Sequence, residues 1–490
     1  MMSTVKLFFL FLIPGVLLST HAEAQQEKQR PNILLIAIDD LRPELGCYGA
    51  NHIKSPNIDL LASEGVLFNK AYTQQAVCAP SRNTLMTGLR PDALGIHDLG
   101  TFFRTKAPDV ITLSQFFMQN GYHAEGMGKI YHTGHGNQND ALSWSSKHWN
   151  PNRIVNKRLP INSGDTTKLE TCYPRVRDKK IAWYNSPMPE AMHNDALTTT
   201  HAIERMKALK DSAFFLAVGL QKPHLPFVAP QKFWDLYDQD QLSIPEQTIP
   251  TTPSYAFTNW GELRKYHAMP SEGPMKDAYA LNLIHGYYAC VSFIDAQVGR
   301  LVEKLKQLDL YDNTIIVIWG DHGYKLGDYG SWCKHTNFEI DTRVPVIIRA
   351  PQKTAVRGIN SDAIIETVDI YPTLCALAGF EEPNHLQGSS FMEAMFKEDF
   401  TWEEVAISQY PRRTKIDNKN IPIMGYSMRT SQYRFTKWIN RTTGETLANE
   451  LYDHSNPGLE MVNLAEHDKF NGLLKKLDSK FEETYQRVHQ

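Results

Sequence analysis

Two adjacent aspartates, Asp39 and Asp40, close an uninterrupted apolar run from Asn32 to Ile38. Continuous apolar runs of strand length belong in sheets covered on both faces, and open α/β sheets place their ligand crevice at the carboxyl ends of the strands. Neighbouring carboxylates at such a place repel unless something cationic sits between them. A hard cation with oxygen ligands is the simplest partner; a plain strand-end turn would also use the pair. A second apolar run, Thr314 to Trp319, leads into Gly320, Asp321, His322 and Gly323. If the two strands are parallel neighbours, Asp39, Asp40, Asp321 and His322 meet at one edge of the sheet. Three carboxylates with a single nitrogen favour calcium over zinc.

The segment Cys78, Ala79, Pro80, Ser81, Arg82 carries a third set of reactive groups. Pro80 suits a first helical turn and Gly88 the position after the last, so a helix is predicted to begin at or just after Cys78. Free amides and the positive end of the helix dipole then favour an anion at residue 78. A structural cysteine and a low-pKa thiol nucleophile both fit that placement. The other cysteines, Cys47, Cys172, Cys290, Cys333 and Cys375, form no Cys-x-x-Cys pair and are few for so long an exported chain. Neither a disulfide scaffold nor a zinc knuckle is indicated; Cys290 and Cys375 lie in helical apolar patterns and read as core.

The elements that must position these groups are legible as alternating patterns. Strand-like runs recur at 214–218 and 344–348, and helix-length segments lie between them at 56–64, with Ser55 as N-cap, and at 111–120, 196–210 and 281–308. The alternation predicts an α/β fold on a mostly parallel sheet flanked by helices. With 490 residues of which 42% are apolar, one large domain over residues 25–414 and a smaller companion over 415–490 are expected. The companion reads as α+β, with antiparallel alternation over 426–439 and a closing helix over 468–485. Residues 1–24 read as a signal peptide cleaved near Ala24, so the chain is expected to be secreted or periplasmic. No later stretch has the ~20 apolar residues of a membrane span. The net charge of −3 is that of neither a nucleic-acid binder nor a general polyanion sponge, so any basic residues serving an anionic ligand must be concentrated locally.

Cys-x-Pro-Ser-Arg about 40 residues after a strand-end Asp-Asp pair resembles the modification signature of the type I sulfatases. The resemblance extends along nearly the whole mature chain, through Asp39 to Pro43, Gln74 to Arg82, Phe214 to Gly219, Lys222-Pro223-His224 and Met424 to Ser427. It is strongest to the iduronate-2-sulfatase branch. It implies an alkaline-phosphatase-like sandwich and oxidation of Cys78 to formylglycine (3-oxoalanine) by a formylglycine-generating enzyme or sulfatase maturase. It also implies calcium held by Asp39, Asp40, Asp321, His322 and the oxygen at residue 78. Arg82 would hold the aldehyde hydrate; Lys129 and His132 would orient it and grip sulfate; His224 and Lys334 would bind sulfate and protonate the leaving oxygen. Tyr324 and Lys325 stand where the animal pattern has an aromatic and a small residue, and His335 where it has tyrosine; all three are expected to line the sugar pocket, with Lys325 either meeting a uronate carboxylate or simply solvated. The implied substrate is a sulfated oligosaccharide or polysaccharide, with a uronic acid 2-O-sulfate from glycosaminoglycan or algal polysaccharide foremost. A phosphatase or phosphonate hydrolase of the same superfamily is the competing activity; a non-catalytic sulfated-glycan binder would follow if Cys78 were never oxidised.

Overall fold

The computed structural model describes residues 30–151, 175–176, 179–350, 358–396, 402, 405–416, 418–455 and 458–489. The expected signal peptide and Cys172 lie outside the described residues. The apolar runs form a seven-stranded sheet from β1 (Asn32–Ile38), β2 (Val66–Tyr72), β3 (His123–Gly128), β4 (Phe214–Leu220), β5 (Thr314–Gly320), β6 (Arg343–Arg349) and β7 (Ile359–Glu366). The order across the sheet is β7-β2-β6-β5-β1-β4-β3. Strand β1 pairs in parallel with β4 and β5, β3 with β4, and β7 with β2. Against expectation for its continuous apolar pattern, β6 runs antiparallel to both of its neighbours. It is buried on both faces like the parallel strands, so composition alone does not reveal its direction. Pro345 lacks an amide for the ladder, and the register with β2 shifts at that point.

Strand β1 shows why the run is apolar throughout. Leu34, Ile36 and Ile38 face one core, and Ile33, Leu35 and Ala37 face another. The first core is covered by α1 (Pro56–Ser63), α4 (Asn194–Ala208) and the long α5 (Asp277–Gln307). The second is covered by α2 (Cys78–Thr87), α3 (Leu113–Gln119) and α6 (Ile370–Ala378). Each fully buried Leu or Ile contributes roughly 1.5–3 kcal/mol, so a one-residue slip of β1 would exchange its two faces between two differently shaped cores.

The C-terminal part is a four-stranded antiparallel meander of β8 (Ala406–Ile416), β9 (Lys419–Arg429), β10 (Tyr433–Asn440) and β11 (Thr446–Asp453), backed by α7 (Asn471–His489). Its first strand begins at Ala406 and pairs with β9 up to Ile416 opposite Lys419. Buried Arg434 on β10 lies 2.5 Å from Glu339 and 2.7 Å from Glu460, and His454 reaches Glu460 at 2.8 Å. This network ties the small sheet to the segment preceding β6.

Ser55 occupies the N-cap position of α1, but its side chain does not cap the helix. Asp295 of α5 does so instead, accepting from the amides of Asn57 at 3.0 Å and Ile58 at 2.8 Å. Burial pushes the Asp295 carboxyl up to about 6, against those bonds. The folded state therefore holds this proton more tightly than the unfolded chain. The stability it confers is present below the unfolded carboxylate range and is lost as pH rises through about 6. The unfolding free energy of the wild type minus that of Asp295→Asn is expected to fall by on the order of 2 kcal/mol between pH 4 and pH 7, read by urea denaturation. A difference independent of pH would contradict this.

Candidate active site

Strands β1 and β5 are neighbours in parallel register, with Ile38 opposite Gly320, so their next residues, Asp39 and Asp321, emerge side by side. Asp40 follows with φ 61°, a left-handed conformation that aspartate tolerates better than most residues. The turn places the Asp40 amide 3.0 Å from Asp321 Oδ1. All three carboxylates and His322 are fully buried.

Cys78 is the first residue of α2, whose N-cap Val77 offers no side-chain cap and whose last turn closes on Gly88 at φ 68°. Its Sγ lies 3.3 Å from His322 Nε2 and 3.6 Å from Lys129 Nζ. One turn on, Arg82 donates to Asp321 Oδ2 at 2.8 Å and Asp39 Oδ1 at 2.9 Å. It also donates to the carbonyls of Lys129 and Ile130, so one guanidinium fixes the strand ends and the 129–130 segment together. Lys129 pairs with Asp39. A Cβ on Gly219 would come within 2.2 Å of the Lys129 backbone; only glycine lets that segment cross the end of β4. Lys334 reaches both oxygens of Asp40 at 2.9–3.0 Å. It stands between Cys333 at φ 65° and His335 at φ 87°, two left-handed residues of the kind that concentrate at functional sites.

The electrostatics follow from burial. Desolvation would raise Asp39, but Lys129 and Arg82 override it and hold the carboxyl well below its ordinary range. Asp40 stays raised by burial despite His224 and Lys334. Burial would lower His322, but Asp321, Cys78 and Asp40 hold it up at about 10. The His322 Nδ1 donates to the Gly323 carbonyl at 3.0 Å, so in the neutral ring the lone pair is on Nε2, facing Asp40 at 3.4 Å and Asp321 at 3.7 Å. Two overlapping donor sets result: Asp39, Asp40, Cys78 and His224, and Cys78, Asp321 and His322. With three carboxylates, the residue 78 side chain and two imidazoles whose Nδ1 atoms are each held by a backbone carbonyl, they suit a hard divalent cation.

A cavity of about 730 Å³ opens over Cys78 and is lined by Lys129, His132, His224, Lys334 and His335 among others. Burial and the Lys129 charge push His132 down to about 4, leaving it neutral, with Nε2 3.2 Å from His135 Nδ1. Burial also lowers His224, with Asp40 opposing. Its Nδ1 donates to the Leu225 carbonyl at 2.6 Å, and Lys222 Nζ straps the His224 and Pro226 carbonyls at 2.6 and 2.9 Å. The His224 Nε2 is thereby turned into the site.

Two expected sugar contacts are placed elsewhere. Tyr324 is fully buried, stacked on Tyr287 with its hydroxyl on Cys333 Sγ, and it lies under Lys334, whose Nζ is 5.7 Å from the ring centroid. Lys325 is fully buried against Asp341 and Thr336. Lys325 opens the two-residue strand Lys325–Leu326, both residues of which are buried. Sequence reasoning missed Glu262 and Asp195 in the cavity wall. Glu262 sits in an aperiodic loop with no motif around it. Asp195 opens α4 as an ordinary first-turn acid, and only the tertiary structure shows it accepting from the amides of Gln221 and Lys222 at 2.6 and 3.2 Å.

A family model described as Sulfatase matches residues 31–380, and one described as N-sulphoglucosamine sulphohydrolase, C-terminal, matches residues 327–487. The chain is 33% identical to iduronate 2-sulfatase of Mus musculus over 94% of its own length and 96% of that protein's. It is 34% identical to iduronate 2-sulfatase of Homo sapiens over 89% and 90%. Its fold is similar to that of a phosphonate monoester hydrolase from Silicibacter pomeroyi, with a TM-score of 0.75 and 22% identity over 94% of this chain and 96% of that one.

Arg82 is the cation on which two of the buried carboxylates depend. Replacing it by Leu strands Asp39 beside Asp321, and the expected cost is about 3–5 kcal/mol of stability, read as a lower urea midpoint. An unchanged midpoint would show that the carboxylates are compensated without it.

Proposed function

The chain belongs to the sulfatase family and is a sulfuric ester hydrolase, and on that premise we propose that it removes the 2-O-sulfate of a uronic acid in a sulfated oligosaccharide or polysaccharide. The nucleophile in this proposal is residue 78 after oxidation of Cys78 to formylglycine, with calcium held by Asp39, Asp40, Asp321, His322 and the residue 78 oxygen. The observation that carries the proposal is the position of Cys78 Sγ, 3.3 Å from His322 and 3.6 Å from Lys129 beside three buried carboxylates. The thiol sulfur stands in for the oxygen of the oxidised residue. The relatives' names supply the iduronate 2-sulfate; the cavity's cationic lining, Lys129 and Lys334, with His224 beside them, fits an anionic ester.

Calcium bound there supplies charge stabilisation and lowers the pKa of the attacking hydroxyl. One hydroxyl of the residue 78 hydrate attacks sulfur while Arg82 and Lys129 orient it. Lys129, His132, His224 and Lys334 surround the sulfate oxygens as negative charge builds on them. The bond from sulfur to the sugar oxygen breaks, and that oxygen takes a proton from His224 Nε2 or Lys334 Nζ. The second hydroxyl of residue 78 then loses its proton, which leaves with the hydrogensulfate, as the bond from the residue 78 carbon to the sulfate-bearing oxygen breaks and the aldehyde returns. Water rehydrates it, so the sum is ester plus water to alcohol plus hydrogensulfate. An unmodified thiol has no second hydroxyl and cannot release sulfate this way.

The same proposal places the chain outside the cytoplasm after removal of residues 1–24, with a formylglycine-generating enzyme or maturase as its processing partner. Among the described residues no helix is long and apolar enough to cross a membrane.

Peptide mass spectrometry of protein co-expressed with a maturase is expected to show the Cys78 peptide lighter by about 18 Da, the change from thiol to aldehyde. The matured protein is expected to release sulfate from a uronate 2-sulfate disaccharide, lose that activity in chelator, and regain it with calcium. Cys78→Ala is expected to lower it by on the order of 10⁴-fold or more. An intact thiol, or turnover of phosphate monoesters with none of sulfate esters, would overturn the proposal.

A further inference from the structure

Among the described residues, Glu262 is the carboxylate that faces Lys334 and His224 from outside the sheet. Its Oε2 lies 3.0 Å from Lys334 Nζ and its Oε1 3.3 Å from His224 Nε2. Asp40 faces the same two nitrogens from the sheet end, at 2.9 and 4.0 Å. Two proton-bearing side chains from distant parts of the chain are thus bracketed between two carboxylates. Asp40 is shared with the proposed cation site; Glu262 pairs with Lys334 and His224 and also acts on His335, and it opens into the cavity with a quarter of its side chain exposed.

The loop that delivers Glu262 is built for position rather than regularity. Between Trp234 and Asp277 the chain forms only three-residue 3-10 turns. Trp260, buried, adopts a left-handed φ of 43°. Arg264 stacks over its ring with the guanidinium carbon 3.3 Å from the centroid. It also donates to the carbonyls of Asn259, Pro270 and Gly273 at 2.8–2.9 Å. Leu263, fully buried, anchors the other side. Glu262 therefore sits between two pinned residues, and its ion pairs follow from a fixed backbone.

We infer that Glu262 is a positioning residue that aligns Lys334 and His224 on the oxygen that departs with the sugar. The inference rests on the sulfatase reaction proposed above and concerns one step of it. When the bond from sulfur to the bridging oxygen breaks, its electron pair goes to the sugar oxygen, and the proton that neutralises it comes from Lys334 Nζ or His224 Nε2. Without Glu262, Asp40 is the carboxylate left facing Lys334 Nζ and His224 Nε2 among the described residues, at 2.9 and 4.0 Å. An unassisted alkoxide is a poor leaving group, so misalignment slows sugar esters; a nitrophenolate departs without a proton and is indifferent to it. Removing the negative charge also leaves the sulfate pocket more positive, so substrate binding does not weaken.

The test compares matured wild type, Glu262→Gln, Glu262→Asp and Glu262→Ala on a uronate 2-sulfate disaccharide and on 4-nitrophenyl sulfate. For Glu262→Gln the expected result is a drop in kcat of about 10²-fold on the sugar ester with KM unchanged or lower. On the nitrophenyl ester the loss is expected to stay under about 5-fold, which also shows that the variant is folded. Glu262→Asp, which keeps the charge on a shorter arm, is expected to fall between wild type and Glu262→Gln. Equal losses on both esters, no loss on either, or a loss confined to the KM for the sugar would overturn the positioning role. A matured wild type that releases sulfate from neither ester would remove the reaction itself and this inference with it, a result distinct from the other three.

Discussion

Asp39, Asp40 and Asp321 share one fully buried site at the ends of β1 and β5, where charges of like sign repel far more strongly than in water. Their compensation organises the molecule around them. Arg82 comes from α2, Lys129 from the end of β3, Lys334 from the loop before β6, and His322 from the turn after β5. Each brings a positive or hydrogen-bonding group to a carboxylate that would otherwise be costly to bury. The contacts that hold the sheet end together are therefore the ones that surround Cys78 with donors, and fold and site depend on the same charge balance.

Loops build the cavity walls on that floor, and they are held by bonds of their own. The Lys334 loop is fixed from the C-terminal sheet: Asn337 donates to the Gly425 carbonyl at 2.9 Å, Arg412 donates to the His335 carbonyl, and Arg434 ties Glu339 and Glu460. The small sheet contributes no residue to the predicted catalytic set. It makes the two left-handed residues around Lys334 sustainable, since strained backbone persists only where its surroundings over-determine it. The burial of Tyr324 and Lys325 belongs to the same design: one lies under Lys334, and the other locks the strand beside it through Asp341.

Much of this was legible in the residues. Seven-residue apolar runs ending in acids specify buried strands with their chemistry at one edge, because side-chain alternation and burial on both faces leave no other solution. Proline inside a first turn and glycine after a last one fix the start and end of α2, and with them the exposure of residue 78 to a helix N-terminus. What composition left open was decided in three dimensions. The direction of β6 is set by its partners, since a strand buried on both faces reads alike either way. The cap of α1 comes from Asp295, 238 residues beyond the amide of Asn57 that it bonds, and local sequence carries no trace of it. Glu262 reaches Lys334 and His224 because Arg264 and Trp260 pin an aperiodic loop. Period and propensity specify elements, whose energetics are local; which loop faces which charge is set by long-range packing and electrostatics, and these exist only once the chain has closed.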